Sequence, residues 1–140
     1  MTIEEQLQQE GYVLTLSVGI SMRPMLTQRT EQLLIEKLTS EPKTNDVVLF
    51  RRRSGQYVLH RVIRKTDMHY LIRGDNCYGT EKVQAERIIG ILKGFYRGDK
   101  YIDCDTNKGY KAYVVLIRLS YWFRFAVYHS LRLLRRAIKK

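Results

Sequence analysis

Apolar and polar positions alternate with two different periods along this chain, and the change of period divides it. Ile3 to Gln9 is a short polar stretch with helical spacing, and Gly11 supplies the stop that a helix C-terminus favours. From Tyr12 to Val18 the sequence turns β-rich, and a succession of short runs follows. Asp46 to Arg51 and Tyr57 to Ile63 flank Ser54-Gly55, the pattern of a hairpin. Tyr70 to Arg73, Arg87 to Leu92 and Lys100 to Asp103 read as further strands. Between Thr30 and Leu38, residues Leu33, Leu34, Lys37 and Leu38 fall at helical spacing, so this segment reads as a helix or as an ordered loop. Short strands at this separation predict a mainly β fold, either a small barrel or a pair of sheets, with a short helix before it.

From Tyr110 to Lys140 the period changes to that of one helix, free of Pro and Gly and rich in Leu, Arg and Ala. On a helical wheel its eight cations fall within an arc of about 160°, and Leu116, Leu119, Phe123, Val127, Leu134 and Ile138 lie opposite. Two arginines at a bilayer centre cost roughly 5–7 kcal/mol, while the apolar residues between Val114 and Val127 return only about 2.4–4.8. Spanning is therefore disfavoured. Two arrangements remain: the helix lies in a membrane interface with Tyr121, Trp122 and Tyr128 near the headgroups, or it packs its apolar face on the body and shows its charges to water.

Composition sharpens this division. The 140 residues suit one domain, 44% of them are hydrophobic, and 25 Lys and Arg against 14 Asp and Glu give a net charge of +11. From residue 111 onward there are eight cations and no acid, so residues 1–110 carry only +3. The body, residues 1–107, reads as the functional domain and residues 108–140 as a basic amphipathic helix. Cys77 and Cys104 are too few for a disulfide framework and lack the spacing of a zinc knuckle or redox pair, so they read as free thiols. The acidic, polar N-terminus lacks the charged and apolar regions of a signal peptide. The expected location is cytoplasmic or peripheral to a membrane, with residues 110–140 available to an anionic surface.

Candidate chemistry lies in three segments: Gly19-Ile20-Ser21-Met22-Arg23-Pro24, Leu59-His60-Arg61-Val62 and Arg73-Gly74-Asp75-Asn76. Each alone is bland, a turn serine, a half-buried strand histidine and a turn aspartate. As a set they hold a hydroxyl nucleophile, a base of pKa about 6.5 to take its proton, and carboxylates at Asp75 or Glu81 to orient that base. Gly19 allows close backbone approach to a substrate, and amides around Ser21 suit an oxyanion hole.

These residues resemble the signal peptidase I superfamily, which includes the self-cleaving LexA-type repressors. Gly19-Ile20-Ser21-Met22-Arg23-Pro24 matches its Gly-x-Ser-Met-x-Pro motif, and His60-Arg61-Val62 matches the histidine version of its base motif, as in archaeal and endoplasmic-reticulum enzymes. Gly74-Asp75-Asn76 matches a third motif, Glu81 stands where a later acid is expected, and Ile88 to Ile91 resembles its closing strand. The resemblance covers roughly residues 11–104. Met25 replaces the usual Thr, Leu26 to Thr44 is an insertion, and Glu81 is a Glu where the histidine enzymes carry Asp. The N-terminal anchor of signal peptidases and the helix-turn-helix of the repressors have no counterpart in these residues.

The resemblance implies a small LexA- and signal-peptidase-like barrel and a serine endopeptidase that cuts leader or signal peptides, with small residues favoured before the cut. Ser21, His60 and Asp75 or Glu81 are the expected catalytic residues. Gly19, Ile20, Met22 and Pro24 are the expected substrate-binding residues. The partner is a peptide or protein substrate, and no metal, cofactor or nucleic acid is expected. Two other readings are a basic β-barrel that binds nucleic acid through Arg51-Arg52-Arg53 and the tail, and a degenerate peptidase that only binds peptides.

Overall fold

The computed structural model describes residues 1–17, 19–27 and 30–139. Val18 at the end of the first predicted strand, Gln28 and Arg29 within the insertion, and the terminal Lys140 lie outside the described residues. In chain order the elements are α1 (Ile3–Glu10), β1 (Tyr12–Leu16), β2 (Glu31–Lys37), β3 (Val47–Arg51), β4 (Tyr57–Lys65), β5 (Tyr70–Arg73), β6 (Glu81–Val83), β7 (Ile88–Arg97), β8 (Lys100–Asp103), α2 (Lys108–Leu119) and α3 (Tyr121–Ile138). The fold is mainly β, preceded by one short helix and followed by a helical C-terminal segment.

Local sequence explains the first elements. Thr2 and Glu5 cap α1 reciprocally, through the Glu5 amide on Thr2 Oγ1 at 3.1 Å and the Thr2 amide on Glu5 Oε2 at 2.9 Å. The helix ends at Gly11, whose amide donates to the Leu7 carbonyl. Between β3 and β4 the Gly55 amide donates to the Arg52 carbonyl and the Arg52 amide to the Gln56 carbonyl, closing the predicted hairpin.

The strands form one antiparallel sheet in the order β1-β2-β7-β3-β4-β5-β6. The long β7, expected as a closing strand, is instead central. It pairs with β2 on one edge, and its other edge is divided between β3 beside Ile88 to Ile91 and β8 beside Gly94 to Arg97. The expected barrel is not formed: among the described residues no ladder joins β1 to β6, the two ends of the path. Bulges at Leu34/Ile35, Leu49/Phe50 and Val62/Arg64 bend the sheet without bringing the three-residue β6 round to β1.

Two apolar clusters occupy the two faces. One gathers Leu7, Val13, Leu33, Ile35, Leu49, Leu92 and Phe95 with Tyr110 and Val114 of α2, and the other gathers Val48, Phe50, Val58, Val62, Ile72 and Val83. On β4, strand alternation sends Val58, His60 and Val62 to the second face and Leu59 and Arg61 to the first.

Two sequence expectations are corrected. The segment from Thr30 to Leu38 is neither helix nor loop but β2, in which Glu31, Leu33 and Ile35 alternate inward. The buried Glu31 carboxylate accepts from the Thr27 amide and hydroxyl and from Thr30 Oγ1, so a charge occupies an inward strand position. The tail is two helices, not one, with Ser120 between them. There Ser120 Oγ and Arg124 Nη2 both donate to the Ile117 carbonyl, in competition with the helical ladder.

Arg61 is fully buried and joins five parts of the chain. Its guanidinium donates to both oxygens of Asp75 at 2.8 and 2.9 Å, to the Asn45 carbonyl, to the Tyr110 hydroxyl of α2 and to Met25 Sδ. Burial works against the Arg61 charge, but the hydrogen bonds and charge of Asp75 outweigh it and raise the pKa. Arg61→Met leaves the Asp75 carboxylate buried without its partner, and urea unfolding should show a loss of about 3–5 kcal/mol. The double variant Arg61→Met/Asp75→Leu should recover most of that loss. A single variant as stable as the parent would contradict this role.

Candidate active site

The three sequence motifs meet at one end of a cleft of about 570 Å³. The first contributes a turn in which the Arg23 amide donates to the Ile20 carbonyl, leaving the Ser21 and Met22 amides inside the turn without an acceptor among the described residues. Gly19, at φ +88, sets the approach to this turn in a backbone region that side chains disfavour. The Gly-Asp-Asn loop after β5 clamps the turn from the other side. The Asn76 amide donates to the Ser21 carbonyl at 2.7 Å, Asn76 Nδ2 to the Ile20 carbonyl at 3.0 Å, and the Asp75 amide to Met22 Sδ at 3.4 Å.

Gly74 explains how the serine turn and the histidine come together. A Cβ at this position would stand 2.6 Å from the Ser21 carbonyl oxygen, 2.9 Å from Cys77 Sγ and 3.0 Å from His60 Nε2. Only a residue without a side chain lets the loop pass between Ser21 and the imidazole. Ser21 and His60 both line the cleft, although no hydrogen bond joins Ser21 Oγ to His60 among the described residues.

The other ring nitrogen faces inward. His60 Nδ1 is buried, has no hydrogen-bond partner among the described residues, and lies 3.8 Å from Glu81 Oε1. The strand register makes this possible: Val62 pairs with Ile72 and Ile72 with Glu81, so His60, two residues along from Val62, shares a sheet face with Glu81. Glu81 is also held by Arg52, whose Nε donates to Oε2 at 3.0 Å and whose Nη2 donates to Oε1. The two candidate carboxylates thus have different surroundings. Glu81 is beside the histidine, whereas both Asp75 oxygens are taken by Arg61, with the Tyr113 hydroxyl donating to Oδ2 at 2.8 Å.

Among the expected substrate-binding residues, Gly19, Ile20 and Met22 line the cleft, with Met22 itself buried in the core. Pro24 is exposed and is not among the cleft-lining residues. Arg52, Gln56, Tyr57, Asn76 and Cys77, none of them among the expected substrate-binding residues, also line the cleft. For Arg52 the available signal was the arginine run at the hairpin turn, and for Asn76 its place in the third motif. Cys77 and Cys104 are free, and burial raises the Cys77 thiol above its ordinary pKa, so it stands in the cleft as a neutral neighbour. Among the described residues no group of His, Cys, Asp and Glu has the arrangement of a metal site.

Compared with known proteins, the chain matches no family model and no curated sequence.

Burial lowers the His60 pKa below its ordinary value, against the opposing pull of Glu81 and with the help of Arg52. The ring is therefore neutral, and able to accept a proton, at pH 7. In an NMR titration its resonances should move with a midpoint below about 6.5. Glu81→Gln should lower the midpoint further, because an attracting charge is lost while the Arg52 cation stays. A midpoint at or above 6.5 in the parent would contradict the buried setting.

Proposed function

We propose that this chain is a serine endopeptidase of signal-peptidase type, acting on an extended peptide. The observation that carries the reading is the order of groups across His60: the cleft and Ser21 on its Nε2 side, Glu81 on its Nδ1 side, and Gly74 leaving room between loop and ring. In this reading Ser21 Oγ attacks the scissile carbonyl as its proton passes to Nε2. Glu81 stabilises the imidazolium that forms, offsetting the burial that disfavours it. The Ser21 and Met22 amides suit the developing oxyanion. His60 then returns the proton to the leaving amine, and water releases the acyl group by the same path. The open hydrogen bond between Ser21 and His60 is the loose arrangement often found before substrate binds.

The cleft also suits a peptide. Among the described residues β1 pairs only with β2 and its other edge carries no strand, and Thr15, Leu16 and Ser17 at its end line the cleft just before the serine turn. An extended chain added to that edge would lay alternate side chains against Leu16, Ile20, Leu33, Leu49 and Tyr57. The nucleic-acid reading draws on Arg51-Arg52-Arg53 and the tail for phosphate, and of these Arg51 and Arg52 each already face a carboxylate, Glu4 and Glu81 respectively.

Purified protein should cleave a leader-peptide substrate, and Ser21→Ala or His60→Ala should each lower kcat/KM by on the order of 10³-fold or more. Glu81→Gln should lower kcat with little change in unfolding midpoint, whereas Asp75→Asn should act first on stability. Undiminished cleavage by the Ser21→Ala protein would end the reading, and an unchanged kcat in Glu81→Gln would remove Glu81 from it.

A further inference from the structure

The C-terminal helices dock on the body by the side that the helical wheel marks as cationic. Tyr110, Val114, Ile117 and Tyr121 are buried along it. Arg118 Nη2 donates to the Ile63 carbonyl and Arg124 Nη1 to the Asp75 carbonyl, and the Arg73 guanidinium lies 3.5 Å from the centre of the Tyr121 ring. Tyr121 Oη donates to the Tyr78 carbonyl, and Tyr78 stacks on Tyr128. This reverses the packing in which the apolar side faces the body. The apolar stripe points away from it: Leu119 is 78% exposed, Trp122 and Phe123 73% each, and Ile138 83%.

We propose that this outward apolar face is a membrane-binding surface for anionic lipid, with α2 and α3 lying in the interface plane and the β body on the water side. The inference does not depend on the peptidase reading. Within α3, from Phe123 to Ile138, the stripe runs about 22 Å at helical rise. No helix among the described residues is long and apolar enough to cross a membrane, so the mode is one of lying on the bilayer. Aromatic residues on and beside the stripe, Phe123 and Trp122, suit the headgroup boundary.

Charge selects the occupant. Residues 111–139 hold seven Lys and Arg and no acid. These cations back the stripe within a helix diameter of about 10 Å, roughly one Debye length at 0.1 M salt, so an anionic surface is felt by all of them. A second copy packed stripe to stripe would instead bring two such unbalanced sets of cations together. The docked side fixes the orientation, since Arg124 and Tyr121 tie α3 to the loop that carries Asp75 and Tyr78.

Trp122 is the sole tryptophan of the chain and stands on this exposed side, so its fluorescence reports occupancy directly. Vesicles of equal parts phosphatidylglycerol and phosphatidylcholine should shift its emission to shorter wavelength and carry the full-length protein down on sedimentation. Binding should weaken at least ~10-fold on pure phosphatidylcholine. The variant Leu119→Glu/Phe123→Glu alters only exposed side chains, so it should keep the parent circular dichroism and lose vesicle binding to a similar degree. An emission unchanged by anionic vesicles, or binding indifferent to lipid charge, would overturn the proposal. So would light scattering that shows a dimer split by the same variant while vesicles leave the parent unbound.

Discussion

The buried pair of Arg61 and Asp75 is the constraint on which the rest of this structure depends. Asp75 leaves the sheet on the loop after β5, and Arg61 sits in the middle of β4 with no exposed surface. A charge so placed needs its partners fixed, because a buried ion stripped of its counter-ion is strongly destabilising. The remaining guanidinium hydrogens are met by the Asn45 carbonyl before β3, Met25 after the serine turn, and Tyr110 at the start of α2. Tyr113, one turn further along α2, donates to the same Asp75 carboxylate. Segments far apart in sequence are thus held to one point by directional bonds, where apolar packing alone would tolerate sliding.

This constraint also places the candidate catalytic groups, though Arg61 and Asp75 are not among those around His60. Arg61 and His60 are neighbours on one strand, so fixing the first toward the α2 side obliges the second to face the opposite side, next to Phe50 and within reach of Glu81. A slip of one residue in β4 would bury the imidazole against α2 and expose the guanidinium to the second core, and the demand of Asp75 forbids it. On the other side of the loop, Gly74 and Asn76 carry the serine turn. The adjacency of Gly74, Asp75 and Asn76 is therefore mechanical: one residue lets the imidazole approach, one bolts the loop to β4, and one grips the Ser21 carbonyl.

Much of this was legible in the sequence, and the failures have specific causes. The Gly11 stop and the β3–β4 hairpin follow from local spacing, whereas a meeting of the three motifs was implied by the family resemblance and not by spacing. The Thr30 to Leu38 run was ambiguous because Leu33, Leu34, Lys37 and Leu38 fit a helix, while the strand alternation includes a charged Glu31 whose burial depends on Thr27 and Thr30. Barrel closure was not legible because strand count does not fix how far bulges bend a sheet. The choice between Asp75 and Glu81 could not be made in one dimension. Asp75 belongs to the third motif itself, but which carboxylate meets His60 depends on the pairing of β5 with β6. The interruption at Ser120 is equally non-local in origin, since Arg124 bends back to Ile117 while also reaching the Asp75 loop.

The helical wheel of the tail was correct about its two faces and silent about which one docks. Apolar area alone favours packing the Leu and Phe side inward. The body offers that helix something else: a loop carbonyl at Asp75, a carbonyl at Ile63 and the aromatic ring of Tyr78, all of which prefer guanidinium and tyrosine partners. Satisfying those groups turns the helix by about half a revolution from the arrangement a purely apolar body would select. A net charge of +11 therefore combines cations with different physical roles: Arg61 is consumed internally, Arg52 faces Glu81, Arg118 and Arg124 bond to the body, and Arg132, Arg135, Arg136 and Lys139 are exposed to water. Total charge reports none of these distinctions. The direction in which an amphipathic helix docks is set by the polar groups left open on its receiving surface, and here those groups leave the apolar stripe facing out.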